Sequence, residues 1–180
     1  MSATSDRSRP LRIAVPLCVL LLSACASLPP PAEAPASLTQ ATPEQMAAAI
    51  DAAAGSGEGE LAVQPLRDPM VEDLREQARD ARAAARYEDA ASALDRALAI
   101  VPDDPALLQE RAEAALLQRD FGRAGQLAER AYALGAQVGP LCRRHWATIE
   151  QVRLAAGDAE GAASAQAQVA GCRVAGPERF

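Results

Sequence analysis

Four cysteines and one histidine are the side chains of this 180-residue sequence best equipped for chemistry. A thiolate is a nucleophile and a metal ligand, two thiols can oxidise to a disulfide, and an imidazole can move a proton near neutral pH. Spacing narrows these options. His145 stands in Arg143-Arg-His-Trp146 with no spaced carboxylate or nucleophile motif around it. With Cys142 and Cys172 as its nearest soft partners, it supplies too few ligands for a zinc site. No glycine-rich phosphate loop and no metal-ligand pattern occurs. The expectation is a protein that is not an enzyme, with no catalytic residues, no metal, no cofactor and no small-molecule substrate. The thiols fall into two pairs with separate fates: Cys18 and Cys25 near the N-terminus, Cys142 and Cys172 near the C-terminus.

Cys25 closes Leu22-Ser-Ala-Cys25, directly after the apolar run Ile13-Ala-Val-Pro-Leu-Cys-Val-Leu-Leu-Leu22, and Arg7, Arg9 and Arg12 precede that run. The run covers about 15 Å as a helix, half of a hydrocarbon core of about 30 Å, so a cleaved export signal fits better than a membrane span. Two small residues before Cys25 resemble the lipobox of bacterial lipoprotein signal peptides. That resemblance implies removal of residues 1–24, with Cys18 among them, and acylation of Cys25 as the new N-terminus. It implies a membrane-anchored protein facing the periplasm. Ala26 differs from the Asp that resembles an inner-membrane retention signal in enteric bacteria, which favours the outer membrane over the inner.

The mature part keeps 15 of the 18 basic residues and 23 of the 24 acidic ones, a net charge of −8. Nucleic-acid phosphates demand clustered positive charge, so a nucleic-acid partner is excluded. Aromatic residues make up 3% of the chain while Ala is abundant, which points to closely packed helices and an all-α fold.

Residues 25–41 are rich in Pro and Ala, cannot bury a core and read as a tether. Thr42, Pro43 and Gln45 form a helix start with a capping box, and a short helix should run to near Gly55. Gly55-Ser-Gly-Glu-Gly59 opens a flexible linker to residue 67, and Asp68-Pro69 starts the main domain, residues 68–175, followed by a tail at 176–180. The apolar face of the short helix is mostly Ala, and its docking is open at this level.

From Met70 onward the sequence repeats with a period of 34 residues. Ala85-Arg-Tyr87-Glu-Asp-Ala90 recurs as Arg119-Asp-Phe121-Gly-Arg-Ala124; Leu74 pairs with Leu108, Ala78 with Ala112, Ala81 with Ala115, Leu94 with Ala128 and Ala97 with Ala131. This resembles the tetratricopeptide repeat, whose signature small residues, post-turn aromatic and closing proline match Ala78, Ala90, Ala97, Tyr87 and Pro102. The resemblance implies a short α-solenoid of two to three antiparallel helix hairpins, with Tyr87 and Phe121 filling the wedge between a turn and the next hairpin. A third unit is shifted: Ala162 follows Ala124 by 38 residues, so its first helix, about 140–156, should be one turn longer. Counted from its start, Cys142 takes the place of Leu74 and Leu108; counted from its end, Trp146 does. Cys142 lies 15 residues before Gly157 and Cys172 15 after it. In a hairpin turning there, the two thiols lie side by side, and the oxidising compartment favours a disulfide.

The repeat resemblance also implies a concave surface lined by the first helix of each unit. It places Glu72, Arg75, Glu76, Arg79 and Arg82 there from the first unit, Gln109, Glu110, Glu113 and Leu116 from the second, and Arg143 and Arg144 from the third. Of these, Arg75, Arg79, Arg82, Gln109, Glu110, Glu113 and Arg143 are the candidate partner-binding residues. The family's clamp for a C-terminal carboxylate needs a Lys and Asn pattern from which Arg79 and Glu110 depart. The alternative is a solvated face of paired charges. The functional expectation is a membrane-tethered interaction module for a protein or peptide partner in the cell envelope, an assembly or scaffolding factor. The alternatives are a structural envelope lipoprotein without a specific ligand and an accessory subunit of an envelope enzyme.

Overall fold

The structure, a computed structural model, describes residues 35–55 and 68–173. The signal sequence, Cys25, most of the tether, the linker 56–67 and the C-terminal tail lie outside the described residues. Within them the fold is all-α, with seven helices: α1 Pro43–Ala54, α2 Pro69–Ala83, α3 Tyr87–Ile100, α4 Pro105–Leu117, α5 Phe121–Leu134, α6 Gly139–Ala155 and α7 Ala159–Gly171. None of the described helices is long and apolar enough to cross a membrane.

Local chemistry sets most of the boundaries. Thr42 caps α1 in a two-way capping box, its hydroxyl accepting from Gln45 N at 3.3 Å while the Gln45 side chain accepts from Thr42 N at 2.9 Å. Asp68, Asp104, Asp120 and Asp158 cap α2, α4, α5 and α7, each accepting from a first-turn N–H. Such a cap contributes about 1 kcal/mol, and Pro at the first turn of α1, α2 and α4 gives up an N–H that had no partner anyway.

The helices pair as three antiparallel hairpins, α2–α3, α4–α5 and α6–α7, stacked in order. The small and aliphatic positions that the 34-residue period pairs are buried in both units, Leu74 and Leu108, Ala78 and Ala112, Ala81 and Ala115, Ala90 and Ala124, Leu94 and Ala128, Ala97 and Ala131, while Tyr87 and Phe121 are partly buried. Alanine at most of those sites lets the helices approach closely, with Leu74, Leu94 and Leu108 filling the space between them. All three hairpins turn in the same way. Arg86, Asp120 and Asp158 donate their N–H to Ala81, Ala115 and Arg153 O, closing each first helix at 2.8–2.9 Å. The preceding residues, Ala85, Arg119 and Gly157, hold positive φ of 55°, 66° and 77°.

That shared turn gives a prediction of opposite signs. Ala85→Gly and Arg119→Gly each relieve a left-handed backbone and should raise stability by about 0.5 kcal/mol. Gly157→Ala should lower it by about 1–2 kcal/mol, because a Cβ there would sit 2.5 Å from Ala36 O and 2.8 Å from Pro35 Cβ. Urea midpoints at matched slopes measure all three.

In the third hairpin α6 has 17 residues against 15 in α2 and 13 in α4, and spans 139–155 where 140–156 was expected. The additional length at its start brings Cys142 to the end of α7. Cys142 and Cys172 are bonded, with Cα atoms 5.7 Å apart, and Gly139 N donates to Cys172 O at 2.7 Å beside them. Trp146 packs one turn on, with Ala112, Ala128, Ile149 and Ala165, and its ring lies 4.8 Å from that of Tyr132. Within α7 only Ala162 and Ala165 are buried.

The helix whose docking the sequence left open is an integral part of the domain. α1 lies against α6 and α4, burying Met46, Ala47 and Ile50 with Leu116, Leu117 and Ala147. Tyr87 and Phe121 pack on this same cluster, and the Tyr87 hydroxyl donates to Glu44 at 3.1 Å. Ahead of α1, Leu38 N donates to Leu154 O at 2.9 Å, and Pro35 and Ala36 cross the Gly157 turn.

Candidate partner-binding cleft

The first helices of the three hairpins, α2, α4 and α6, form one face, and α1 occupies part of it. Beside α1 a cleft of about 300 Å³ remains between α2, α4 and α6. Arg75, Arg79 and Arg82 reach it at helical spacing from α2, and Leu94 from α3 forms part of its floor. Ala114 continues that floor, Glu110 contributes a carboxylate, and Leu141 and Arg144 come from α6.

A ladder of ion pairs organises the rim. Arg75 donates to Glu72 at 3.0 Å and forks onto Glu110 across the hairpin boundary. Glu113 is fully buried and is gripped from two helices: Arg82 Nη1 and Arg144 Nη2 each donate to Oε2 at 2.7 Å. Burial pushes the Glu113 carboxyl up, but the hydrogen bond and charge of Arg144, with Arg82 and Gln109 behind, outweigh it and hold its pKa below the usual range. Arg82 and Arg144 then extend to Asp51 of α1 at 3.3 and 2.6 Å. One carboxylate from α1 therefore bridges two guanidiniums of the solenoid.

Beneath the ladder runs a buried polar network. The Gln109 amide nitrogen donates to Glu113 Oε1 at 2.9 Å and Thr148 Oγ1 at 2.7 Å. Its oxygen therefore faces His145 Nδ1 at 2.7 Å, which fixes Nδ1–H as the donor and leaves Nε2 buried without a partner. Desolvation lowers the His145 pKa from 6.5 to about 4, against the pull of Glu113 and with that of Arg144. A depressed histidine prefers its proton in the unfolded state. Stability should therefore be intact above pH 6.5 and fall by up to about 3 kcal/mol as the pH drops towards 4. Urea unfolding at pH 7.5 and 5.0 checks this, and the drop should shrink in His145→Gln.

The candidate residues divide accordingly. Arg75, Arg79, Arg82 and Glu110 line the cleft, and Gln109 borders it from below. Gln109 and Glu113, expected on the open surface, are 1% and 0% exposed because α6 and α1 cover them. Arg143, expected in the groove, points away from it: its Nε and Nη2 donate to Ala54 O at 3.0 and 2.7 Å, closing the C-terminus of α1, where a cation offsets the helix dipole. Leu116 is also buried. Arg144 takes the place given to Arg143. Leu141 and Asp51 are additions for which the repeat pattern held no signal, although Met46 and Ile50, four apart, marked an apolar face one residue from Asp51; Leu94, which the period pairs with Ala128, is a core residue that also borders the cleft. Among the described residues no cluster of His, Cys, Asp or Glu could hold a metal ion.

The chain is thus a three-hairpin α-solenoid whose inner face carries an N-terminal helix and a charged cleft. Its fold is similar to that of the globular C-terminal domain of LpoP from P. aeruginosa, at a TM-score of 0.54 and 30% sequence identity, covering 58% of this chain and 99% of that chain. With that identity over nearly the whole solved domain, the helical part of the chain belongs to the same domain family. No family model matches the chain, and no curated protein does.

Proposed function

We propose that this chain is a membrane-tethered lipoprotein, facing the periplasm, whose solenoid binds and assists an enzyme of the cell envelope without catalysing a reaction itself. The observation that carries this reading is the cleft: an open, charged surface on the inner face of a rigid solenoid, beside a place where the same face already holds a helix. The likeness to the LpoP domain supports the enzyme-accessory reading over a general scaffold or a purely structural role. A peptidoglycan synthase is the enzyme class to test first. The lipobox at Cys25 supports the anchor, and three acyl chains would hold firmly where a single myristoyl chain binds with only about 10⁴ M⁻¹.

A photocrosslinking residue placed at Arg79 or Leu141 should capture one stoichiometric envelope enzyme in living cells. The same residue at Ser92 or Gln126, exposed on second helices, should capture none. Equal capture from all four sites, or a diffuse set of proteins, sinks the reading. For the anchor, Cys25→Ser should block lipid-dependent processing; release of the wild-type protein from membranes by salt alone contradicts it.

A further inference from the structure

We infer that the cleft between α2, α4 and α6 receives an acidic segment bearing an aliphatic side chain, laid beside α1 with its carboxylate on Arg79. The inference rests on the reading of this face as the binding surface and names the chemistry of what binds. α1 is the worked example of how the face holds a segment of chain. Met46 and Ile50 enter an apolar cluster with Leu116 and Leu117, and one residue further Asp51 spans the guanidiniums of Arg82 and Arg144. An aliphatic anchor followed by a carboxylate is what this face recognises.

The adjoining cleft offers the same two elements again. Leu94, Ala114 and Leu141 supply the apolar floor, and the guanidiniums of Arg75 and Arg79 stand on the rim. Arg75 is engaged by Glu72 and Glu110. Arg79 is exposed, lines the cleft and makes no ion pair with any described residue, so its five N–H donors are held by solvent alone among the described groups. Of the four guanidiniums that face the cleft, three are already paired, Arg75 with Glu72 and Glu110, and Arg82 and Arg144 with Glu113 and Asp51, so the charge left for an incoming segment is that of Arg79. A basic segment would meet like charge there, and a neutral apolar one would leave Arg79 unmatched. About 300 Å³ admits one or two aliphatic side chains but not a whole helix.

The probes are two fluorescein-labelled, end-capped peptides of Leu and Ala, one carrying Glu and the other Gln at the same positions, titrated by anisotropy into the mature chain in detergent micelles. The acidic peptide should bind more tightly than its Gln counterpart by about five-fold or more, and high salt should erase the difference. Arg79→Gln should abolish the preference, while Arg130→Gln on α5 should keep it, both with unchanged helicity. Equal binding of both peptides, no binding of either, or a preference that survives Arg79→Gln overturns the inference. The in-cell crosslinks separate this from the broader reading. A single enzyme captured at Arg79 while the acidic peptide shows no preference leaves the interaction role standing and removes the acidic chemistry. No capture from either cleft position removes both.

Discussion

Reduction of the Cys142–Cys172 bond lowers the thermal midpoint of the domain by about 10 °C or more. The bond closes a loop with a sequence separation of 30 residues, for which the chain-entropy estimate is about 3–4 kcal/mol. In a domain of this size each kcal/mol moves the midpoint by about 3–5 °C. Packing alone compensates poorly, because α7 buries only Ala162 and Ala165 along its length. The loss should be felt first in the third hairpin: amide exchange of α7 should accelerate on reduction while that of α2 and α3 stays slow. The double variant Cys142→Ala/Cys172→Ala should reproduce the reduced protein. A midpoint indifferent to reductant would mean that α6 and α7 hold together without the crosslink. Rapid alkylation of both thiols in unreduced protein would show that the bond does not form in solution.

The second large effect belongs to Glu113. Glu113→Gln should destabilise the domain by about 3 kcal/mol, the lower end of the range for breaking a buried ion pair, because Arg82 and Arg144 keep Asp51 as a partner. Arg82→Gln should cost less, about 1 kcal/mol, since its side chain is 32% exposed and Arg144 still grips the carboxylate. The loss in Glu113→Gln should include loosening of α1, seen as faster exchange of the amides around Ile50. Acid acts on the same group. Its folded pKa lies below the unfolded value of 4.5, so its contribution is present above that pH and vanishes as the pH falls through the folded value. Below the window set by His145, a second loss of stability should therefore appear, and Glu113→Gln should lack it.

The solenoid was legible because its register is carried by alanines at fixed phase. Two helices can approach at Ala78 and Ala90, or at Ala112 and Ala124, only if the same positions are small in every unit, and that requirement survives in the sequence as a period. The third hairpin remained readable despite its different length because its turn still places Gly157, Asp158 and Ala162 where the others have their counterparts. The inner face was harder. A repeat register states which helix side faces inward but not what lies on it, and Gln109 and Glu113 are buried by α1 and α6. Arg143 and Arg144 are adjacent, so about 100° of helix separates a residue that clasps Ala54 from one that lines the cleft, and the longer α6 moved that phase. The docking of α1 was unreadable from its alanine-rich face because a carboxylate, Asp51, and a clasp from Arg143 complete what Met46 and Ile50 begin.

The route by which the chain leaves the domain has a mechanical side. If the segment before Pro35 tethers the domain as proposed, tension on it meets first the strap over the Gly157 turn, where the backbone hydrogen bond from Leu38 to Leu154 resists it. The next load falls on the first turn of α1, and the Arg143 clasp at Ala54 is the last to part. The disulfide sits at the far end of α6 and α7 from that turn, outside the path of the pull. Under load the chain should yield by releasing the strap and α1, residues 35–54, before the three hairpins unfold. With Cys25 acylated as proposed, the strap and α1 together would act as a mechanical fuse between anchor and solenoid.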